Sequence, residues 1–325
     1  MWKSKTIKGE IFLYSPYNLP AFLVRKNENC KSFIIHLHGL TEGMMSVPYL
    51  SPLIDSLESF NLISCQFRSA HSSWGTHSMM TDCEDLDHLL CLLSSDYKAQ
   101  NIILIGHSTG CQDILWWCEH GKYHDLVTNI VLQAPVSDRD LFRFFDKQEH
   151  EQQEKKIEEE EEKEEKEKVD EKENKNEQEV ETKSEPSEDY QNLLIKSKQL
   201  INQKKPLEIV NFLEKTPISA YRWYSLNSRL GDEDYFSFDL SQNEIFERVK
   251  KITTMHVLLV FSGNDEFVNF PIEDCKRFYK RLAGSFKNAL SVEYEIIDNA
   301  PHNLLGSENK FVNLFNKWIK KTKKN

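Results

Sequence analysis

The chain has 325 residues and a formal net charge of −11, but that charge is not spread along it. Residues 149–189 hold 20 Asp and Glu against 8 Lys and Arg, while the other 284 residues hold 32 against 33. The acidity belongs to one segment, and the remainder is near-neutral sequence long enough for one large core. No basic stripe argues for a nucleic-acid partner, and no apolar run reaches the length of a membrane span.

The first apolar stretch, Ile11 to Val24, is broken by Ser15, Pro16, Asn18 and Pro20. That excludes a secretory apolar core and predicts an antiparallel hairpin of 10–14 with 21–25. Seven cysteines are scattered, and none forms a Cys-x-x-Cys pair. This predicts free thiols and a cytoplasmic location. Apolar, β-type runs at 31–38, 62–68, 101–105, 129–133, 256–261 and 291–297 alternate with helical spacing at 49–60, 81–94, 111–119, 271–282 and 310–320. The alternation predicts an α/β fold, a mostly parallel central sheet with helices on both faces. In the last helix Phe311, Leu314, Phe315 and Trp318 form the apolar face, with lysines in the last turn suited to the helix dipole.

One stretch breaks the rhythm. Residues 137–241 follow the strand ending near Gln133 and show no regular alternation, so they are expected to form a cap region, with 1–136 and 242–325 as the core. Within it, 149–189 has only Ile157, Val169 and Val180 as aliphatic residues. It is expected to be a disordered loop, dispensable for chemistry, with a solvated Glu/Lys helix as the alternative.

The most informative run is 101–110, Asn-Ile-Ile-Leu-Ile-Gly-His-Ser-Thr-Gly. An apolar strand enters a Gly-x-Ser-x-Gly turn and a helix leaves it, the strand–turn–helix context of a nucleophile elbow. Gly106 and Gly110 supply room that side chains would fill, and Ser108 stands at a helix N-terminus that favours developing negative charge. A serine hydroxyl needs a base, and the base needs an orienting acid. Both follow in the order Ser, Asp, His. Asp265 lies just after the strand at 256–261, and His302 after the strand at 291–297. Glu266 and Asp298 are rivals to Asp265. For the oxyanion hole, one donor is the backbone N–H of Thr109, and the second is that of Leu40, in a loop that Gly39 lets approach closely. Each such donor is worth about 3–4 kcal/mol to a transition state. His38 is expected to buttress that loop. No further ligand accompanies the His36-x-His38 pair, so no metal and no cofactor are expected. In the loop 68–76, Arg68, Trp74 and Thr76 are candidate substrate contacts, with ordinary loop polarity as the alternative.

Three segments carry a more specific resemblance: GHSTGCQD at 106–113, QAPVSDRD at 133–140 and PISAYRWYSLNSRLGDEDYFSFDLS at 217–241. Together they resemble the poorly characterised α/β-hydrolase family of fungi and plants that includes the fungal siderophore esterases. The likeness spans nearly the whole chain except 149–189. It implies a Ser–Asp–His hydrolase with Ser108, Asp265 and His302 in those roles, and a cap that shapes the pocket. The expected function is cleavage of a small-molecule carboxylic ester through an acyl-enzyme, siderophore-esterase-like. The alternatives are a thioesterase or lipase-type acyl hydrolase, or a catalytically silent binding protein.

Overall fold

The structure is a computed structural model and describes residues 5–166, 187–212 and 216–323. Its centre is an eight-stranded sheet of β1 (Glu10–Leu13), β2 (Pro20–Val24), β3 (Ser32–Leu37), β4 (Asn61–Cys65), β5 (Asn101–His107), β6 (Val127–Gln133), β9 (His256–Ser262) and β10 (Ser291–Ile297). The order is β1-β2-β4-β3-β5-β6-β9-β10. The first two strands form the expected antiparallel hairpin, β2 pairs antiparallel with β4, and the rest of the sheet is parallel.

Alternation along the central strands builds two cores. Ile102 and Leu104 of β5, Ile130 and Leu132 of β6, and Val257, Leu259 and Phe261 of β9 face one side. Ile103, Ile105, Val131, Leu258 and Val260 face the other. This is why these strands read as unbroken apolar runs: both faces are covered. The first face is covered by α2 (Met79–Ser95), α3 (Thr109–His120), α7 (Gln242–Val249) and α8 (Ile272–Ala283). The second is covered by α1 (Leu50–Ser56) and α9 (Glu308–Thr322), the latter through Phe311, Phe315 and Trp318.

Register sets the functional edge. Gly106 pairs with Leu37 and Leu132, His107 with Gln133, Gln133 with Val260, and Ser262 with Ile297. The loops after β3, β5, β6, β9 and β10 therefore leave the sheet at one C-terminal edge, where ligands of open α/β sheets bind.

Between β6 and β9 lies an insertion that the sequence pattern only outlined. It contains α4 (Asp138–Lys166), α5 (Glu188–Asn202), a hairpin of β7 (Ile209–Phe212) with β8 (Thr216–Ser219), and α6 (Ala220–Asn227). It has its own small core of Tyr190, Val210, Ile218, Ala220, Trp223 and Leu226. The loop at 68–76 forms its seat: a Cβ on Gly75 would lie 2.3 Å from the Pro217 carbonyl oxygen.

The expectation of a disordered loop over 149–189 is corrected for its first part, where α4 is helical through Lys166. Glu and Lys are good helix formers, and a chain already helical at its buried start needs no new nucleus. Lys147 and Glu151 form an i,i+4 pair at 3.6 Å. Residues 167–186 lie outside the described residues. The chain returns where it left. Ser187 gives its backbone N–H to Asp146 Oδ2 at 2.9 Å and its hydroxyl to Asp146 Oδ1 at 2.7 Å, while its Oγ caps α5 by accepting from Tyr190 N. Because 146 and 187 already touch, the residues between them carry no span. Replacing 150–185 with a short Gly-Ser linker is expected to leave the thermal melting temperature unchanged; a drop of many degrees in the melt would show that the segment supports the fold.

Candidate active site

Ser108 sits between the last residue of β5 and the first of α3, with φ 54° and ψ −122°. A non-glycine residue in that region stores about 1–3 kcal/mol of strain, and it persists only where surroundings over-determine it. Here they do. A Cβ on Gly106 would lie 2.4 Å from the Gly110 carbonyl oxygen, and one on Gly110 would lie 2.6 Å from the Leu37 carbonyl oxygen. The turn is held by Ser108 N–H to the Gln133 carbonyl at 3.0 Å and Cys111 N–H to the Ser108 carbonyl at 2.8 Å. Cys111 itself donates its thiol to the Gly106 and Gln133 carbonyls, and burial pushes its pKa far up. Its thiol is spent on holding the turn.

The Asp265 and His302 loops are laced together. Gly263 N–H donates to the Ile297 carbonyl at 3.0 Å and Asn264 N–H to the Ala300 carbonyl at 2.9 Å. This sets His302 Nδ1 at 2.9 Å from both Oδ1 and Oδ2 of Asp265, with side-chain exposures of 7% and 3%. An Nδ1–H donor leaves Nε2 with a free lone pair. Glu266, a rival for the acid, instead accepts the His302 backbone N–H at 2.8 Å. Gln133 Nε2 and Ser262 Oγ donate to the His302 carbonyl at 2.9 and 3.3 Å. Phe267 sets its ring at 89° to the imidazole, centroids 4.7 Å apart. Ser108 Oγ and His302 are not hydrogen-bonded to each other here; in unliganded sites that contact is often long and tightens with substrate.

Sequence reasoning missed two residues. Gln133, whose Nε2 is already committed to His302, accepts from His107 Nδ1 at 2.6 Å through its Oε1. Burial, then the neighbouring His302, lowers His107 to about 4, so it is neutral at neutral pH. Glu42 is the other. Its Oε2 takes the Gly39 N–H at 2.8 Å and the Ser46 hydroxyl at 2.9 Å, and its Oε1 lies 3.6 Å from His107 Nε2. The loop after β3 is thereby pinned beside the elbow, where a Cβ on Gly39 would sit 3.0 Å from Ser108 Cβ. His38 buttresses the same loop. Its Nε2 accepts from Phe67 N–H at 3.3 Å, so its Nδ1–H donates to the Gly39 carbonyl at 3.0 Å. A side chain that ties one loop to another leaves no periodic signal in sequence, and neither residue was accessible that way.

The substrate reading of Arg68 is corrected. Its Nε meets Asp85 at 2.8 Å, its Nη2 meets Glu84 at 3.0 Å and the Thr81 carbonyl at 3.1 Å, and its guanidinium stacks on Tyr17. Those partners anchor β4 to α2 and leave the group committed. Trp74 stacks toward Phe142 of the insertion, and Thr76 donates its hydroxyl to the Ser73 carbonyl. Among the described residues, no group of three His, Cys, Asp or Glu side chains could hold a metal ion, and no helix is long and apolar enough to cross a membrane. All seven cysteines are free thiols.

A mostly parallel sheet flanked by helices, with a strained serine between strand and helix and a His–Asp pair at the same edge, defines an α/β-hydrolase fold. The chain belongs to the family described as protein of unknown function (DUF1749), whose sequence model matches residues 3–321. It is similar to the UPF0613 protein PB24D3.06c of Schizosaccharomyces pombe, with 28% identity over 290 residues, 84% of this chain and 81% of that one. It is also similar to esterase AN6793 of Emericella nidulans, with 25% identity over 285 residues, 72% of this chain and 69% of that one. Among solved structures it resembles the siderophore hydrolase EstB from Aspergillus fumigatus, with a TM-score of 0.64 and 19% identity over 99% of this chain and 100% of that one. These findings agree with the resemblance of its three signature segments to the α/β-hydrolase family that includes the fungal siderophore esterases.

The buried carboxyls make stability depend on pH. Burial raises Asp85 to about 7 and Glu233 to about 8. From about pH 4 up to those values the folded protein keeps protons that the unfolded chain has released, so stability falls as pH rises through that window, by at most about 1.4 kcal/mol per pH unit per group, and levels off above about pH 8. His36, His38 and His107, lowered by burial, act in the opposite sense, but only below the ordinary histidine value. The melting temperature is expected to decline from pH 6.5 to 8.5, and Glu233→Gln should flatten that decline. A wild-type melt that rises over this range would contradict the assignment.

Proposed function

We propose that the chain is a serine esterase acting on a small-molecule carboxylic ester. The observation that carries the reading is the His302–Asp265 pair, with both carboxylate oxygens 2.9 Å from Nδ1, at the sheet edge that also holds the strained Ser108. In this reading Ser108 Oγ attacks the ester carbonyl carbon as His302 Nε2 takes its proton. Asp265 stabilises the imidazolium that results. The carbonyl oxygen becomes an oxyanion that accepts from the backbone N–H groups of Thr109 and Leu40. Gly39 is an unsuitable donor, because Glu42 already accepts its N–H. The tetrahedral adduct collapses, His302 returns the proton to the departing alkoxide, and an acyl-enzyme and an alcohol remain. Water repeats the sequence and releases the acid.

The insertion between β6 and β9 would act as the cap over this edge. The similarity to an esterase and to a siderophore hydrolase supports ester chemistry, with a siderophore-type ester as the first class to try. Thioester and acyl-glycerol cleavage use the same machinery and are arms of the same assay.

Labelling with a fluorophosphonate tests the nucleophile. Wild type is expected to react, and Ser108→Ala to be inert. Turnover of an ester such as p-nitrophenyl acetate should fall by about 10⁴–10⁶ in Ser108→Ala and His302→Ala, with Asp265→Asn also strongly impaired. A folded wild type that neither labels nor hydrolyses any ester or thioester in the panel would show a silent binding protein instead.

A further inference from the structure

The three segments that carry the family resemblance meet in one buried place, behind the nucleophile helix. Arg222 of α6 is 1% exposed. Its Nη2 lies 3.1 Å from Glu233 Oε2, and the other carboxyls acting on it are Asp82 of α2, Asp113 of α3 and Asp138 at the start of α4. All four carboxyls are buried. One guanidinium therefore serves four acids, three of them from outside its own part of the insertion.

Asp138 is the member that touches the reaction's scaffold. Its Oδ2 accepts a hydrogen bond from Gln112 Nε2, and Gln112 lies one turn beyond Ser108 on α3. Asp138 also lies within the electrostatic reach of His302. The charged and titratable groups facing the cluster are Arg222, His38 and His77 toward Asp82, Asp82, Arg222 and Glu233 toward Asp113, and Arg222, Glu233 and His302 toward Asp138. Burial raises Asp138 to about 6, with Arg222 the leading opposing influence. Gln112 Oε1, Asp113 Oδ1, Asp82 Oδ1 and two Arg222 nitrogens have no hydrogen-bond partner. The cluster's charge state thus leans on the guanidinium more than on saturated hydrogen bonds.

We propose that Arg222 is a positioning residue of the reaction, which keeps Asp138 a carboxylate bound to Gln112 and so places a second negative charge near His302. The inference rests on the esterase reading above. The imidazole becomes positive in the transition state, so a nearby carboxylate stabilises that state over the ground state, whereas a neutral carboxyl does not. Arg222 arrives from the insertion, so the insertion's seating and the charge beside the base are one event.

The test is the pH profile of p-nitrophenyl acetate hydrolysis, and of fluorophosphonate labelling, for wild type, Arg222→Met, Arg222→Lys and Asp138→Asn. Circular dichroism and thermal melts run alongside. In Arg222→Met, kcat is expected to fall about twofold at pH 7 and about fivefold at pH 6 with KM little changed, as the acid limb moves up by about one pH unit when Asp138 loses its opposite charge. Arg222→Lys should restore most of the limb. In an Asp138→Asn background, Arg222→Met should no longer move it. If Arg222→Met does not fold, Arg222→Lys and Asp138→Asn decide the matter, since both keep the packing volume. An acid limb unmoved in every folded variant, with only stability or KM altered, overturns the proposal and leaves the esterase reading intact. A folded wild type that neither labels nor turns over overturns both.

Discussion

The rest of the site depends on one backbone constraint, the left-handed turn at Ser108. A strand cannot enter and a helix cannot leave within one residue unless the chains on either side come to contact distance. Gly106, Gly110 and the Leu37 carbonyl do so, leaving no room for a Cβ at either glycine. The turn fixes α3 against β3, and so fixes where the loop after β3 runs. That loop reaches Ser108 at Gly39 and is held there by Glu42 and His38. Ser108 and the proposed oxyanion donors are thus positioned by the same steric contact.

Gln133 extends that constraint to His302. Its carbonyl takes the Ser108 N–H, its amide nitrogen holds the His302 carbonyl, and its amide oxygen takes the His107 Nδ1–H. A single residue at the end of β6 therefore spans both halves of the site, and it is fully buried. Its amide has both a donor and an acceptor to spend, which a carboxylate would not offer. Glutamate there would set a negative charge against the His302 carbonyl, and leucine would leave His107 Nδ1–H without its acceptor and the His302 carbonyl without one of its two donors.

How much of this was legible in the sequence follows from which interactions have a period. The sheet's parallel strands and its two covered faces were readable because Ile102 to Ile105 and His256 to Phe261 are continuous apolar runs, and the elbow and the proposed acid and base fall at the ends of such runs. The hairpin of β7 and β8 was not readable: its two strands are four residues each and interrupt no longer pattern. Glu42 and Gln133 were invisible for a different reason. Each looks like ordinary loop or strand-end polarity until folding brings another loop against it. Arg68 shows the converse. A cation in a loop at the functional edge reads as a ligand contact, yet the fold commits it to Asp85 and Glu84 of α2.

The insertion's contact with the core raises the question of why it is ionic. Around Arg222 an apolar interface of equal volume would be as stable or more so, because buried ion pairs seldom recover their desolvation. Arg139 makes a comparable buried pair inside the insertion, with Asp234 at 3.2 Å and with Asp239. A buried arginine of the insertion set among the core carboxyls Asp82 and Asp113 therefore argues for geometry over raw stability. An apolar patch tolerates sliding by a fraction of a turn, whereas a guanidinium shared among Asp82, Asp113, Asp138 and Glu233 loses its compensation when any one partner moves. Such a junction is either seated or strongly penalised. Its core-side ligand Asp113 is five residues from Ser108 on α3, so a mis-seated insertion is registered at the nucleophile helix itself.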